Sequence, residues 1–194
     1  MRRMLSVLLV ALALSVGSPV VAQGEITNPS FENETGWSFY ASGSYWMGEY
    51  TYDWASHGSR SYQIHIPPAP SGCENYPGTN TYGEVYQDVD LTGVEEIAFD
   101  LKTYGPWDIP ALGPGYYHSA EVWLDGTKVY SREREVGEFF SQMVPTKGVA
   151  GIHTLSFRMQ GHDDFCSTAD RGLLVDNVRF VRHKVYLPLV LQSP

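Results

Sequence analysis

The sequence is poor in positive charge and in cysteine. It has 13 lysines and arginines against 22 aspartates and glutamates, a formal net charge of −9. Phosphate backbones are held by clustered positive charge, so nucleic acid is excluded as a partner and strongly anionic polymers are disfavoured. Only two cysteines are present, Cys73 and Cys166. Two thiolates cannot complete a tetrahedral zinc site, and the six histidines are scattered without metal-ligand spacing. No Ser-His-Asp or Cys-His arrangement can be argued from their order. Past residue 22 no window carries a sustained 3.6-residue apolar period, and no apolar run reaches the about 20 residues of a bilayer span.

The one long apolar stretch, Met4 to Val16, follows Arg2 and Arg3 and precedes Gly17-Ser18-Pro19-Val20-Val21-Ala22. A positive start, a short apolar middle and small residues at the end describe a secretory signal peptide, with cleavage expected after Ala22. An uncleaved anchor is the competing reading. Cleavage places the mature protein outside the cell or at its surface, with no membrane insertion, and makes it two charges more negative. In that compartment an even cysteine count predicts a Cys73–Cys166 disulfide. Closing a loop of roughly 90 residues would stabilise by about 4–5 kcal/mol in the chain-entropy account; free thiols are the alternative. The chain divides into a signal peptide over 1–22, one domain over 23–182 and an apolar tail over 183–194. The tail's Val185-Tyr186-Leu187-Pro188-Leu189-Val190-Leu191 is too short to cross a bilayer.

What the chain has in quantity is glycine and proline, 19 and 12, spaced between short alternating segments. Tyr62, Ile64 and Ile66 alternate with Ser61, Gln63 and His65. Val85 and Val89 flank Gln87, with Glu84, Tyr86 and Asp88 on the other face. Ile97, Phe99 and Leu101, then Ala120, Val122 and Leu124, then Leu155, Phe157 and Met159, repeat the pattern. Period two is that of a strand with one buried face. Asp125-Gly126 favours the positive-φ turn of a hairpin into Lys128-Val129-Tyr130. The expected fold is all-β, with Pro67 to Tyr82 and Tyr104 to His118 as long loops on a rigid scaffold.

Two separated segments carry a family resemblance. Asn28-Pro29-Ser30-Phe31-Glu32 followed by Gly36-Trp37, and Leu174-Val175-Asp176-Asn177-Val178, resemble the first and last strands of a secreted jelly-roll carbohydrate-binding module. His57-Gly58-Ser59-Arg60-Ser61-Tyr62-Gln63-Ile64, Val85-Tyr86-Gln87-Asp88-Val89 and Ala120-Glu121-Val122-Trp123-Leu124-Asp125-Gly126 follow in the matching order. The set is most similar to carbohydrate-binding families 4, 9 and 22, among the galactose-binding-like jelly rolls, and spans Glu25 to about Val181. The resemblance implies a jelly-roll β-sandwich that binds carbohydrate. It also implies a structural calcium ligated by Glu32 and Asp176, with loop carbonyls near Ser59 completing the shell. Calcium takes roughly 6–8 oxygen ligands, so carboxylates and carbonyls suit it. The plainer reading has the two carboxylates capping turns or pairing with Arg60. The same fold serves adhesive and structural proteins, so fold leaves function open.

Aromatics supply the binding candidates: 13 Tyr, 5 Trp and 8 Phe. Flat Tyr and Trp faces stack on the C–H face of a sugar ring and offer a polar edge. On an extended strand Trp46, Tyr50, Tyr52 and Trp54 share one face, as core or as platform. Trp37 is assigned to the core. Tyr86 and Trp123 lie opposite apolar neighbours and are expected to face outward. Trp107, Tyr116 and Tyr117 fall on a Pro/Gly-rich loop and are expected at a rim. Glu133-Arg134-Glu135-Val136-Gly137-Glu138 resembles the Glu-x-Asp-x-x-Glu of a jelly-roll glycosidase family, with Glu replacing the central Asp. Strand alternation would bring Glu133 and Glu135 together, as retaining hydrolysis requires, but a charged solvated hairpin is the better reading. His162-Asp163-Asp164 reads as a turn. The function expected is non-catalytic binding of a neutral polysaccharide or oligosaccharide, against an adhesive surface protein or a small polysaccharide lyase or hydrolase.

Overall fold

The computed structural model describes residues 25–68, 80–108, 110, 113–162 and 169–182. The expected signal peptide over 1–22, Cys73, Cys166, Asp163, Asp164 and the apolar tail lie outside the described residues.

Ten strands are formed: β1 Ser38–Ala41, β2 Met47–Thr51, β3 Ser61–Ile66, β4 Tyr82–Asp90, β5 Glu96–Tyr104, β6 His118–Leu124, β7 Thr127–Glu133, β8 Gly137–Pro145, β9 Ile152–Gly161 and β10 Arg171–Val181. They make two five-stranded antiparallel sheets, ordered β1-β4-β9-β6-β7 and β2-β3-β10-β5-β8. This is the expected jelly-roll β-sandwich. The alternating apolar sets all point inward. Val85, Leu155, Phe157, Met159 and Val122 of the first sheet meet Ile64, Phe99, Leu101, Leu173 and Val175 of the second. Phe157 and Phe99 pack edge to face across the interface at 5.2 Å. Asp125 and Gly126 have φ of 48° and 74°, the turn expected between β6 and β7.

The chain's entry corrects one expectation. Asn28 to Glu32 is a turn segment and no strand, because Asn28 and Phe31 both take positive φ near 53°. It still lies against β10, since the Val178 amide donates to the Pro29 carbonyl at 2.8 Å. Phe31 and Trp37 sink into the core with ring centres 5.0 Å apart. Gln87 faces inward and pairs like a strand with Thr27, accepting from its amide at 2.8 Å and donating to its carbonyl at 3.0 Å.

Candidate functional site

Register places the outward side chains of the first sheet in rows. One row runs Ser38, Tyr86, Ser156, Trp123, and the next runs Tyr40, Glu84, Arg158, Glu121. Six of them, Tyr40, Glu84, Tyr86, Trp123, Ser156 and Arg158, shape a cleft of about 370 Å³ with Gly126 and Thr154. Tyr86 and Trp123 stand on either side of Ser156, two strand spacings apart, or about 10 Å. The small serine leaves the space between them open.

Charge in the cleft is balanced. Arg158 donates from Nε and Nη2 to Glu84 Oε2 at 3.2 and 2.8 Å. Its guanidinium sits 3.7 Å from the Tyr82 ring centre and 4.2 Å from that of Trp123. A delocalised cation against an aromatic face is favourable, so Arg158 braces the indole from one side. Glu121 braces it from below. Its Oε2 accepts from Trp123 Nε1 at 2.8 Å, and its Oε1 accepts from Ser119 Oγ at 2.9 Å and Lys128 Nζ at 3.0 Å. Only 2% of Glu121 is exposed. Ser119 Oγ also lies 3.0 Å from His162 Nε2. The hydroxyl sits between the imidazole and the carboxylate, whereas nucleophilic activation needs the imidazole in the middle.

The other aromatic candidates scatter. β2 stops at Thr51, so the anticipated stripe breaks: Trp46 and Tyr50 point into the core, while Tyr52 is 72% exposed beyond the strand. Trp107 is fully buried and is no rim residue; its carbonyl accepts from the His118 amide at 2.9 Å, and its ring packs against the His118 ring. Tyr116 is half-buried on its loop. Tyr117 stacks on His162 at 4.2 Å with the Arg134 guanidinium 4.0 Å from its ring centre. Neither Tyr116 nor Tyr117 lines the cleft. Glu133 and Glu135 are not brought onto one strand face, because β7 ends at Glu133 and Arg134 turns at φ 64°. Glu135 pairs with Arg132, and Glu138 pairs with Lys102 at 3.1 Å.

The carboxylates expected to bind calcium grip a loop. Glu32 accepts from the amides of Ser59 and Arg60 at 2.7 and 3.0 Å and from Ser59 Oγ at 2.9 Å. The Arg60 and Ser59 amides hold its carboxyl below the usual range. Asp176 Oδ2 accepts from the amides of Ser56 and His57, both at 2.7 Å, and from Ser56 Oγ at 3.1 Å, while Oδ1 accepts from the Asn177 amide at 2.7 Å. Burial nonetheless raises the Asp176 carboxyl. Gly58 has φ 78°, and a Cβ there would come within 2.1 Å of Glu32 Oε1, so the turn needs glycine. The loop presents N–H groups where calcium would need carbonyl oxygens, and donors already occupy most lone pairs of both carboxylates. This donor set does not fit a calcium ion. No group of three or more His, Cys, Asp or Glu suited to a metal occurs among the described residues.

No protein-family model matches the sequence, and no curated protein does. Solved structures do. A carbohydrate-binding module, TmCBM61, in complex with β-1,4-galactotriose superposes with a TM-score of 0.52 at 14% identity, the match covering 84% of this chain and 100% of that one. The enzymatically active domain of bacteriophage CBA120 tailspike protein 4 gives 0.46 at 15% identity, covering 81% of this chain and 21% of the tailspike chain, so this chain spans about a fifth of that length. The xylan-binding CBM22-1 of Paenibacillus barcinonensis Xyn10C gives 0.40 at 14% identity, covering 84% and 98%. The chain has the jelly-roll β-sandwich fold seen in carbohydrate-binding modules.

Proposed function

We propose that this protein binds a neutral polysaccharide or oligosaccharide, without chemistry, in the cleft on the outer face of the β1-β4-β9-β6-β7 sheet. The observation that carries the reading is the placement of Tyr86 and Trp123 on either side of Ser156 in one row. Side chains rooted two strand spacings apart, about 10 Å, leave room above Ser156 for a sugar ring to meet both aromatics. Glu84 accepts and Arg158 donates, so vicinal hydroxyls find both partners, and their equal and opposite charges favour an uncharged ligand. TmCBM61, a module of this fold, was solved with a neutral galactotriose, which supports the ligand class. On this reading the protein acts outside the cell after loss of residues 1–22, with Cys73 and Cys166 joined.

Affinity electrophoresis through galactan, mannan, xylan and β-glucan tests the proposal. At least one polymer should retard the wild type. Tyr86→Ala and Trp123→Ala should each weaken that retardation about tenfold, equivalent to ~1.4 kcal/mol, with the fold intact by circular dichroism. Migration unaffected by every polymer would overturn it.

A further inference from the structure

At one end the sandwich is open between its sheets. A slot of about 380 Å³ lies there, between the β6-β7 hairpin and the loop that joins β8 to β9. Leu124 and Val129 line it from the first sheet, and Pro145 and Val149 line it from the end of β8 and the loop beyond. Leu124, Val129 and Val149 also pack against the core, so the floor of the slot is the hydrophobic core itself. One wall is fixed before any ligand arrives. Thr146 is buried in it, its amide donating to the Glu95 carbonyl at 2.8 Å and its hydroxyl to the Val94 carbonyl at 2.6 Å. The Thr146 carbonyl accepts from the Val149 amide at 3.2 Å, which closes the loop on itself. The mouth is clear. A Cβ on Gly126 or on Gly148, in the two turns that flank it, would meet nothing within 4 Å.

Charge at the mouth is one-sided. The Asp125 carboxylate is engaged on β9, accepting from the Thr154 amide at 2.9 Å and lying 2.5 Å from His153 Nδ1. Lys128 is paired with Glu121 at 3.0 Å. Lys147 is exposed, takes φ 55°, and its side chain enters no ion pair or hydrogen bond among the described residues. In a chain of net charge −9, that ammonium is the group at the lip left to choose the charge of a ligand. We infer that the slot binds a small apolar carboxylate, with its hydrocarbon directed into the core and its acid group at Lys147. The volume falls near the lower end of the about 300–1,000 Å³ typical of ligand pockets. A single medium-length acyl chain or one aromatic ring bearing its acid fits, and a two-chain lipid does not. A sugar ring finds only aliphatic carbon in the floor and no flat aromatic face. None of the lining residues lines the cleft of Tyr86 and Trp123, so the two sites stand or fall separately.

Isothermal titration of the protein with hexanoate, octanoate and decanoate below their micelle concentrations, and with octanol and trans-cinnamate, tests the site. One acid should bind per chain, and affinity should rise up to about fourfold per added methylene until the slot is full, ~0.8 kcal/mol each. Octanol should bind severalfold more weakly than octanoate. Lys147→Gln should bring octanoate down to the level of octanol and leave octanol unchanged. Val129→Phe, which fills the slot, should abolish binding of both with the fold intact by circular dichroism; should that variant not fold, the Lys147→Gln comparison decides alone. Tighter binding of cinnamate than of any aliphatic acid would assign an aromatic ligand, and the reverse order an acyl one, each in support of the site. Octanoate binding should be unchanged in Tyr86→Ala/Trp123→Ala. Absence of binding by every acid, affinity independent of chain length, or equal octanoate affinity in wild type and Lys147→Gln would overturn the proposal. Displacement of octanoate by β-1,4-galactotriose would overturn it too, because the slot would then belong to a sugar site.

Discussion

A buried carboxylate is costly unless its oxygens are met, and Glu121 meets both on the outer side of β6 through Trp123, Ser119 and Lys128. Its role is to fix the indole of Trp123 in the cleft wall. Glu121→Gln keeps the shape but removes the charge that holds Lys128 and shortens the bond to Nε1. We expect a severalfold weaker glycan affinity, broadened tryptophan emission, and a stability loss of about 1–3 kcal/mol by urea titration. Glu121→Gln with wild-type affinity would remove the positioning role. Alternation alone put Tyr86 and Trp123 outward, and that much of the cleft was legible in sequence. Glu121 shares the face of Trp123 by the same rule, but its neighbours include Lys128 on β7 and Arg158 on β9. One strand's pattern does not contain its neighbour. Trp107 fails in the opposite way: a Pro/Gly-rich loop has no period, so nothing local signals that the indole turns inward.

At the scale of elements, the turn over residues 56–60 is held from two sides by Glu32 near the chain's entry and Asp176 in β10. Each carboxylate accepts backbone amides that would otherwise lack partners. Glu32→Gln and Asp176→Asn should each cost about 1–3 kcal/mol in thermal or chemical melts. Excess calcium against EDTA should leave the melting temperature of the wild type unmoved. A rise of several degrees with calcium would show that the ion displaces the amides. Besides β7, legible through the Asp125-Gly126 turn, and β10, legible through the family resemblance, five strands (β3, β4, β5, β6 and β9) follow the alternation seen in sequence, with ends shifted by a few residues. β8 does not, and its structure explains why. Ser141 takes φ 51° opposite a break in register between Phe99 and Leu101, with its amide donating to Asp100 at 2.6 Å. A bulge changes which side chains face inward partway along, so Gly137–Pro145 shows no single period. β1 is too short to show one, and β2 was legible only as a stripe whose end at Thr51 no residue announces.

For the molecule as a whole, aromatic packing through Phe157, Phe99, Trp37 and Phe31 joins the sheets, and a histidine sits wholly inside. Burial first, then the charge of Arg171, whose Nε donates to His118 Nε2 at 3.1 Å, holds the His118 imidazole well below its ordinary range. The folded protein therefore keeps this ring neutral where the unfolded chain would protonate it, near pH 6.5 and below. The unfolded state binds more protons there, so stability falls as pH drops from 7 towards 5, by up to about 1.4 kcal/mol per unit for one group. Burial also lowers the His162 imidazole, which acts in the same direction. His153, raised by its bond to Asp125, acts oppositely: its contribution is present at low pH and fades as pH rises through its folded value. Urea midpoints at pH 7.5 and 5.0 should differ less in His118→Gln than in the wild type, and an unchanged difference would place the proton elsewhere. The Pro29–Val178 bond has a mechanical consequence. Tension drawn through residues 25 and 182 meets the Thr27–Gln87 pair on β4 and the β10–β5 register beyond Val178 first, so both sheets shield that bond from the ends of the domain.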